Sequence, residues 1–432
     1  MKKLFRKLST SRVIALGFLS VILTGSLLLY LPVSVREGVA LRYIDALYTS
    51  TSAVCVTGLI AVDAYDTFTP LGQFFLALLI QVGGLGVTSV GAGIILITGK
   101  RLLVRGRTLI RDASNLPSYK GVMSFIRSVL ITTFTIEGVG AVLSFITFSR
   151  DYPLPRALGM SLFHAVAAFN NSGFDIIGGL RNLIPYRSSV LLNITTSLLI
   201  ISGGIGFTVI HEMKSCGLRW HRYSMHARVV ISVSCALTVI GTLLLKMSEN
   251  ITWLGAFFFS VSARTAGFST FALSSFTHSG LFVLIALMFI GASPGSTGGG
   301  IKTTTFFVLI EGIKSAATNR SARAFRYSIP KEAFRKASVI TLLALFLVVT
   351  STWILLVLEP SLTLTDALFE MTSAFGTVGL STGITPFLSV PAKLLSILVM
   401  FTGRLGPLTV ASLWYFSPGE NVRYPEGEIA IG

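Results

Sequence analysis

The sequence has 432 residues, of which 52% are apolar and only 12% are charged, and its mean hydropathy is +0.77. Because soluble domains carry about 25% charged residues, this composition excludes a soluble globular domain and indicates a polytopic membrane protein. The three cysteines, Cys55, Cys216 and Cys235, follow no metal-ligand spacing, so neither a disulfide framework nor a metal site is expected.

The distribution of basic residues explains the formal net charge of +17 without a nucleic-acid partner. If the N-terminus is cytoplasmic, five segments face the cytoplasm, and they contain 24 of the 35 Lys and Arg residues. These segments are residues 1–12, 100–127, 211–228, 311–336 and the C-terminal tail. Such an excess is the positive-inside bias, which predicts that both termini are cytoplasmic. For segment 311–336 two interpretations stay open: contact with lipid headgroups, or a docking surface for a cytoplasmic protein.

Between the basic segments, the chain divides into four blocks with the same order of apolar segments. Each block begins with a long segment, near residues 13–32, 125–148, 229–247 and 338–358. A short segment follows, near residues 43–54, 156–169, 252–263 and 364–375. A second long segment ends each block, near residues 73–98, 189–210, 277–309 and 389–416. A dozen residues cannot cross a hydrocarbon core of about 30 Å, so we predict that the short segments are re-entrant half-helices.

The predicted fold is therefore an all-α polytopic membrane protein, with eight spanning helices and four re-entrant half-helices around a pseudo-fourfold pore. We predict a cytoplasmic N-terminus (1–12), repeats at 13–110, 111–215, 216–325 and 326–416, and a cytoplasmic tail (417–432).

Four glycines align these repeats without gaps, and each follows a half-helix. They are Gly58, Gly173, Gly267 and Gly379. An aromatic residue stands ten positions before each glycine, and Leu or Phe follows it. In the first and fourth repeats an aspartate, Asp45 or Asp366, stands thirteen positions before the glycine. We predict that these aspartates are helix N-caps.

The glycine segments suit the binding of a cation inside the membrane. Non-helical backbone at this depth persists only where it is buried in protein or lines water, and its free carbonyl oxygens can replace the hydration shell of an ion. Glycine permits the backbone angles that such a turn needs, and the negative end of each half-helix favours a cation. The predicted filter residues are Val56, Thr57, Gly58, Asn171, Ser172, Gly173, Thr265, Ala266, Gly267, Thr377, Val378 and Gly379. The alternative, tight helix packing, predicts glycines within continuous spans instead.

At these residues the sequence resembles the superfamily of Trk, Ktr and HKT potassium transporters, and most closely the membrane subunits of bacterial Ktr systems. The resemblance covers essentially the whole chain. It is carried by the segments Cys55–Leu59, Asn170–Phe174, Arg264–Phe268 and Gly376–Leu380, by Gln81–Gly86, and by Gly403–Thr409. Only about twelve residues precede the first predicted span, so the extra N-terminal helix pair typical of Trk subunits is not expected.

The resemblance implies potassium as the substrate and a location in the bacterial cytoplasmic membrane. It implies a homodimer joined in part by the tail, and a cytoplasmic ring of nucleotide-binding regulatory subunits as a further partner. No cofactor is expected in this chain, although sodium stays open as a coupling or activating ion. Sodium-preferring members often carry serine at the first filter position, where this chain has Gly58.

The second long segment of the third repeat predicts a gate. It is too long for one span, and its middle contains a proline and four glycines within nine residues, which disfavour a continuous helix. The predicted gate residues are Gly295, Ser296, Thr297, Gly298, Gly299, Gly300 and Lys302, together with Arg404. A static kink is the alternative. The segment also approaches a phosphate-binding loop, but Ile301 interrupts that pattern and no strand precedes it, so nucleotide binding is rejected.

Several buried charges have two interpretations in the sequence. Arg404 lies within the last span, where it is expected to face the pore-side cavity and hold the gate segment or set an electrostatic barrier, or else to pair with a carboxylate. Lys302 faces the pathway or extends towards the cytoplasm. Arg264, Glu137, Glu370 and His164 are expected to be structural.

Two other functional classes were weighed. A sodium- or proton-coupled secondary carrier also uses broken helices, but usually at two corresponding positions rather than four. An intramembrane enzyme would need paired carboxylates, a nucleophile–histidine pair or a metal site, none of which the sequence indicates with any specificity. The residues therefore favour a non-enzymatic cation transporter, and the resemblance implies potassium as its substrate.

Overall fold

The computed structural model of the protein describes residues 9–87, 89–91, 93, 121–217 and 219–414. Most of the predicted N-terminal segment, most of the basic segment 100–127 and the whole tail 417–432 lie outside the described residues. The described chain is mostly helical. A small hairpin within the basic segment 311–336 pairs strands β1 and β2, which are Arg323–Ala324 and Tyr327–Ser328.

Four long apolar helices open the four predicted repeats. They are α1 (Thr10–Tyr30), α5 (Val122–Phe148), α9 (Met225–Ser248) and α13 (Lys331–Leu358). All four are long and apolar enough to cross a membrane. Their apolar side chains are exposed over much of the helix surface, as expected where lipid covers them.

A short helix follows each long one and packs against it; these short helices are called pore helices below. They are α2 (Tyr43–Val54), α6 (Leu154–Phe169), α10 (Trp253–Ser262) and α14 (Leu364–Gly376), which matches the predicted half-helices closely. A one-turn helix, α3 (Ala64–Thr67), lies in the outer segment of the first repeat. Single 3₁₀ turns are found at Pro32–Ser34, Ile184–Tyr186, Trp220–Arg222, Leu273–Ser275 and Thr385–Phe387.

The predicted aspartate N-caps are wrong by a few residues. The N-cap of α2 is Arg42, and Asp45 lies within the first turn. The N-cap of α14 is Thr363, which accepts a hydrogen bond from the backbone N–H of Asp366 and donates its own hydroxyl to that carboxylate. Both aspartates therefore occupy the third helical position, where a carboxylate still opposes the positive end of the helix dipole.

Among the described residues the second long segments are interrupted in all four repeats, contrary to the prediction of continuous spans near 73–98, 189–210 and 389–416. In the first repeat the helix ends at Leu85, and Gly86 follows with a φ angle of +83°. The helices are α4 (Pro70–Leu85), α7 (Val190–Gly204), α8 (Phe207–Cys216), α11 (His278–Phe289), α12 (Thr303–Thr318), α15 (Val390–Leu405) and α16 (Pro407–Trp414). The pair α7 and α8 is bent by 100°, and the pair α15 and α16 by 101°. The bends lie at Gly206 and Gly406, whose φ angles of +97° and +87° cannot continue a right-handed helix.

The chain is thus an all-α polytopic membrane protein with re-entrant half-helices. Among the described residues, four single helices and the two bent pairs meet the length and hydropathy of a membrane span. The predicted interruption of segment 277–309 is confirmed, since α11 ends at Phe289 and α12 begins at Thr303.

Candidate functional site

The four predicted filter glycines adopt the same unusual backbone conformation. The φ angles of Gly58, Gly173, Gly267 and Gly379 are +87°, +69°, +77° and +94°. This left-handed region is costly for residues with a Cβ atom, so the glycines are required by the backbone itself.

The glycine turns also meet one another in cyclic order. A Cβ atom built on each glycine would lie within 2.7 Å of a carbonyl oxygen in the next repeat. The pairs are Gly58 with Ser172 (2.1 Å), Gly173 with Ala266 (2.7 Å), Gly267 with Val378 (2.2 Å) and Gly379 with Thr57 (2.2 Å). Each glycine therefore touches the residue that precedes the corresponding glycine of the next repeat, and the fourth touches the first. The four turns form a closed ring.

A second left-handed residue stands two positions before each glycine. These residues are Val56, Asn171, Thr265 and Thr377, with φ angles of +58°, +59°, +84° and +48°. Such angles are strained for the β-branched members of the set and persist only where the surrounding structure enforces them. All four are predicted filter residues, but the sequence carries no signal for this strain, because β-branched residues usually indicate extended backbone.

Serine side chains within two pore helices hold the glycine turns. The Ser52 hydroxyl accepts a hydrogen bond from the Gly58 N–H at 2.9 Å, and the Ser373 hydroxyl accepts one from the Gly379 N–H at 3.0 Å. Both serines are fully buried. Alanine follows both serines, so the pairs Ser52-Ala53 and Ser373-Ala374, at equal distances from their ring glycines, are a usable sequence signal for these contacts.

Asn182 fixes the outer side of the ring between the second and third repeats. Its side-chain amide donates to the carbonyl oxygen of Gly173 at 3.0 Å and to Asp175 Oδ2 at 3.1 Å. Its side-chain oxygen accepts from the backbone N–H of Ser269 at 3.0 Å. This residue is not among the predicted site residues, since a lone Asn in a loop between apolar segments carries no distinctive pattern.

Glu370 lies behind the fourth turn and is fully buried. It accepts hydrogen bonds from the hydroxyls of Ser381 and Thr385, both in the segment that follows Gly379. The carboxylate therefore joins pore helix α14 to the outer end of its own turn, a structural role as expected from the sequence.

The second helices pack closely on the ends of the pore helices through glycine. A Cβ atom at Gly83, Gly203 or Gly403 would lie 2.2, 1.8 or 2.0 Å from the carbonyl oxygen of Val54, Phe169 or Phe375, respectively. Each of these carbonyls stands four residues before the ring glycine of its repeat. Small-residue packing, the alternative weighed for the ring glycines, is thus found at a different set of glycines.

The predicted gate segment lies directly against the ring. A Cβ atom at Gly298 would be 2.2 Å from the Thr265 hydroxyl, and one at Gly299 would be 2.4 Å from the Thr377 hydroxyl. The Gly299 N–H also donates to that Thr377 hydroxyl at 2.9 Å. Since both threonines precede the ring glycines, the segment lies on the side of the ring that faces the ends of the pore helices.

Further hydrogen bonds attach the gate segment to the second repeat. The N–H of Ser293 donates to the Gly204 carbonyl at 3.1 Å, and the N–H of Thr297 donates to the Gly203 carbonyl at 3.3 Å. The N–H of Phe207 donates to the Gly295 carbonyl at 3.0 Å. The segment between α11 and α12 is therefore a non-helical loop that is hydrogen-bonded to the second repeat.

Arg404 joins the gate segment to the first repeat. Its guanidinium donates to the carbonyl oxygen of Thr297 and to those of Gly83 and Gly84. All its hydrogen bonds within the described residues go to backbone carbonyls, so the sequence alternative of a carboxylate partner is not found there. Lys302 adds a second contact, since its ammonium donates to the Gly298 carbonyl at 2.6 Å.

A cavity of about 250 Å³ lies beside the gate segment, and none of the four ring glycines is among its lining residues. Lys302, Arg404 and Gly298 line it together with apolar side chains from α1 and α5. Two positive charges thus border the space next to the loop, where they raise the energy of a cation.

Comparison with known proteins agrees with this architecture. The sequence profile of a family described as TrkH, cation transport protein, matches residues 9–220 and 224–421. The chain belongs to this family. The TrkH-family chain is 35% identical to Ktr system potassium uptake protein B of Bacillus subtilis over 98% of its own length and 96% of that protein. It is 36% identical to Ktr system potassium uptake protein D of the same organism, covering 100% of this chain and 99% of that protein.

Two further relatives extend this comparison. Potassium/sodium uptake protein NtpJ of Enterococcus hirae is 35% identical, over 100% of this chain and 99% of that protein. The crystal structure of the potassium transporter TrkH from Vibrio parahaemolyticus superposes with a TM-score of 0.75, at 18% identity, over 95% of this chain and 86% of that one. That structural similarity shows that the TrkH-family fold is shared.

Proposed function

We propose that this TrkH-family protein translocates potassium ions across the bacterial cytoplasmic membrane through the ring of glycine turns. The closed cyclic contact among Gly58, Gly173, Gly267 and Gly379 is the observation that carries the proposal. Backbone at this position has left the helical hydrogen-bond pattern, and its carbonyl oxygens are available to replace ion hydration. The names of the potassium uptake relatives support potassium as the transported ion.

The filter would comprise the three residues of each turn that end at the ring glycine. Glycine at all four positions supports selection of potassium, because a side chain at any of them would displace the adjacent turn. A sodium-preferring transporter is the second candidate, since one full-length relative is named a potassium/sodium uptake protein.

The gate segment would obstruct the pathway beside the ring and move aside for conduction. Its contacts with Thr265 and Thr377 place it against two of the four turns. Arg404 and Lys302 would stabilise the closed position by binding its carbonyls and by opposing the entry of a cation.

We further propose a homodimer with both termini in the cytoplasm and a cytoplasmic regulatory ring as partner. The positive-inside charge distribution supports this orientation. Regulatory subunits would then approach the basic segment 311–336, whose described hairpin presents Arg323 and Tyr327.

Growth on limiting potassium tests the transport proposal. The native chain is expected to restore growth to a bacterial strain without potassium uptake systems, whereas Gly58→Ser and Gly379→Ser should restore it weakly and admit more sodium. Uptake of potassium and sodium into vesicles, measured separately, distinguishes lost transport from altered selectivity. Failure of the expressed, folded native chain to move either ion would refute the proposal.

Removal of residues 293–299 tests the gate. If the segment obstructs the pathway, the shortened protein should conduct ions faster than the native one. Unchanged or lost flux in a protein that remains folded would show that the segment is a static connection.

A further inference from the structure

Two lateral cavities occupy corresponding positions at successive repeat boundaries. The first, of about 320 Å³, lies between α4, α5 and pore helix α6. The second, of about 360 Å³, lies between α7, α9 and pore helix α10. In each case the walls are the second helix of one repeat and the first two helices of the next, so the two cavities are related by the repeat.

The two cavities differ in the charge that lines them. Glu137 lines the first cavity, whereas Arg264 lines the second. Arg264 is already bonded to α9, since its guanidinium donates to the Ser234 carbonyl at 2.8 Å and to the Ser234 hydroxyl at 3.0 Å. Glu137 forms no ion pair within the described part of the chain. In the first cavity, therefore, the Glu137 carboxylate is still able to form an ion pair with a cation.

The polar groups beside Glu137 are incompletely satisfied. Glu137 is 5% exposed, and its Oε1 accepts one hydrogen bond from Asn170 Nδ2 at 3.1 Å. Within the described structure, the buried Nε2 of Gln81, which also lines the cavity, has no hydrogen-bond partner. The Glu137 carboxylate has room to accept more hydrogen bonds, so a ligand that donates to it would be stabilised in the cavity.

The rest of the cavity surface is apolar and continuous with the lipid-facing surface. Its other lining residues are Phe74, Ala77, Leu78, Phe134, Gly138, Leu162, Ala165 and Val166. Phe74 and Phe134 are 61% and 60% exposed, so the cavity opens towards the bilayer rather than towards the glycine ring. An apolar cavity with a few convergent polar groups is the usual form of a small-ligand site.

We propose that this cavity binds a lipophilic amine that enters from the bilayer. The protonated amine would pair with Glu137, and its alkyl chain would lie between Phe74 and Phe134. A carboxylate in a low-dielectric cavity is stabilised by hydrogen-bond donors and by a positive charge. An ammonium suits the site because it supplies both. Such an occupant would compete with Asn170 for the Glu137 carboxylate. Asn170 is the residue just before the second glycine turn.

Photolabelling of the full chain in phosphatidylcholine liposomes tests the site. The probe is dodecylamine carrying an aliphatic diazirine, and dodecanol with the same diazirine is the uncharged control. Peptides of α4 and α5 that line the cavity should be labelled about tenfold more by the amine, because charge-assisted hydrogen bonds are markedly stronger than neutral ones. The Arg264 cavity should show no preference for the amine.

Three variants identify the cause of the labelling. Glu137→Gln should remove the preference for the amine while retaining labelling by the alcohol. Gly138→Leu should reduce labelling by both probes, since Gly138 lines the cavity and an added Cβ atom there has no neighbour within 4 Å. Gly159→Leu is the matched control, because Gly159 is equally unobstructed but does not line the cavity.

Equal labelling by amine and alcohol in the native protein would overturn the proposal and show that the cavity holds acyl chains only. A preference that survives both Glu137→Gln and Gly138→Leu would overturn it as well. Thermal unfolding of each variant establishes that it is folded. If Glu137→Gln does not fold, Gly138→Leu still decides whether the labelled site is this cavity.

Discussion

The ammonium of Lys393 lies 2.7 Å from Oδ1 of Asp45, and the side chains are only 1% and 6% exposed. Lys393 is on α15 of the fourth repeat, whereas Asp45 is in the first turn of pore helix α2 in the first repeat. The pair therefore joins the two ends of the chain where the ring of repeats closes. Nearby, the Tyr48 hydroxyl lies 3.0 Å from the Ser396 hydroxyl, between the same two helices.

Breaking this buried pair should destabilise the protein strongly. We expect Lys393→Ala to lower the free energy of unfolding by about 3–5 kcal/mol, because Asp45 would be left buried with only its exposed partner Arg42. Arg42→Ala is the matched control and should cost less than about 1 kcal/mol, since the Arg42 side chain is 62% exposed. Thermal unfolding in detergent measures both effects. Equal effects of the two substitutions would contradict the assignment of the stabilising contact to Lys393.

Close packing of the second helices on the pore helices gives a second prediction. Gly203→Ala should destabilise the protein by about 1–3 kcal/mol or abolish folding, since the new Cβ atom would lie 1.8 Å from the Phe169 carbonyl oxygen. Gly138→Ala is the control, being a helical glycine with open space around it. That variant should be neutral or slightly stabilising, because alanine favours helix. Unfolding midpoints that do not differ between these variants would argue against the packing.

Arg404 provides a third prediction, which concerns the gate segment. Arg404→Gln removes charge-assisted hydrogen bonds to the Thr297, Gly83 and Gly84 carbonyls. Bonds to charged groups contribute about 1.5–3 kcal/mol, so losing one could shift a closed–open equilibrium by roughly tenfold or more. We expect a corresponding increase in potassium flux into liposomes.

Lys302→Gln is a useful comparison, since it removes the other cation beside the loop. Its contact is with Gly298 and, at 3.4 Å, with Gly299, so it should also increase flux. A folded Arg404→Gln protein with native flux would show that the guanidinium does not hold the loop closed.

Much of this architecture could be predicted from the sequence, because lipid imposes strict limits on length and hydropathy. The pore helix at Tyr43–Val54 has the predicted bounds, and the break between Phe289 and Thr303 follows from its glycines and proline. The 100° bend at Gly206 is not predicted from the sequence, because glycines such as Gly203, Gly204 and Gly206 are also common in continuous membrane-spanning helices.

The contacts of individual side chains were the least predictable part. Arg404 was recognised because a charge within a span is costly, yet its partners are backbone carbonyls that no sequence pattern identifies. Asp45 was assigned to an N-cap from its local sequence, whereas its main partner, Lys393, is 348 residues away. Local patterns cannot reveal partners that only the closure of the repeats brings together.

Asn182 gives the last prediction, which concerns selectivity. Its side-chain amide donates hydrogen bonds to the Gly173 carbonyl and to Asp175, and its side-chain oxygen accepts one from the Ser269 N–H. Asn182 therefore links the outer ends of two turns. Because Asn182 has a φ angle of +49°, Asn182→Gly removes the side chain without straining the backbone. We expect this variant to discriminate less well between potassium and sodium, since the second turn would lose its outer support.

Leu180→Gly is the matched control for Asn182→Gly. Leu180 also has a positive φ angle, +54°, but its side chain is 49% exposed. Uptake of each ion into liposomes, measured separately, gives the selectivity of both variants, and thermal unfolding shows whether they remain folded. If Asn182→Gly keeps native discrimination while folded, the Gly173 carbonyl is positioned by the ring contacts alone, and the outer hydrogen bonds contribute only to stability.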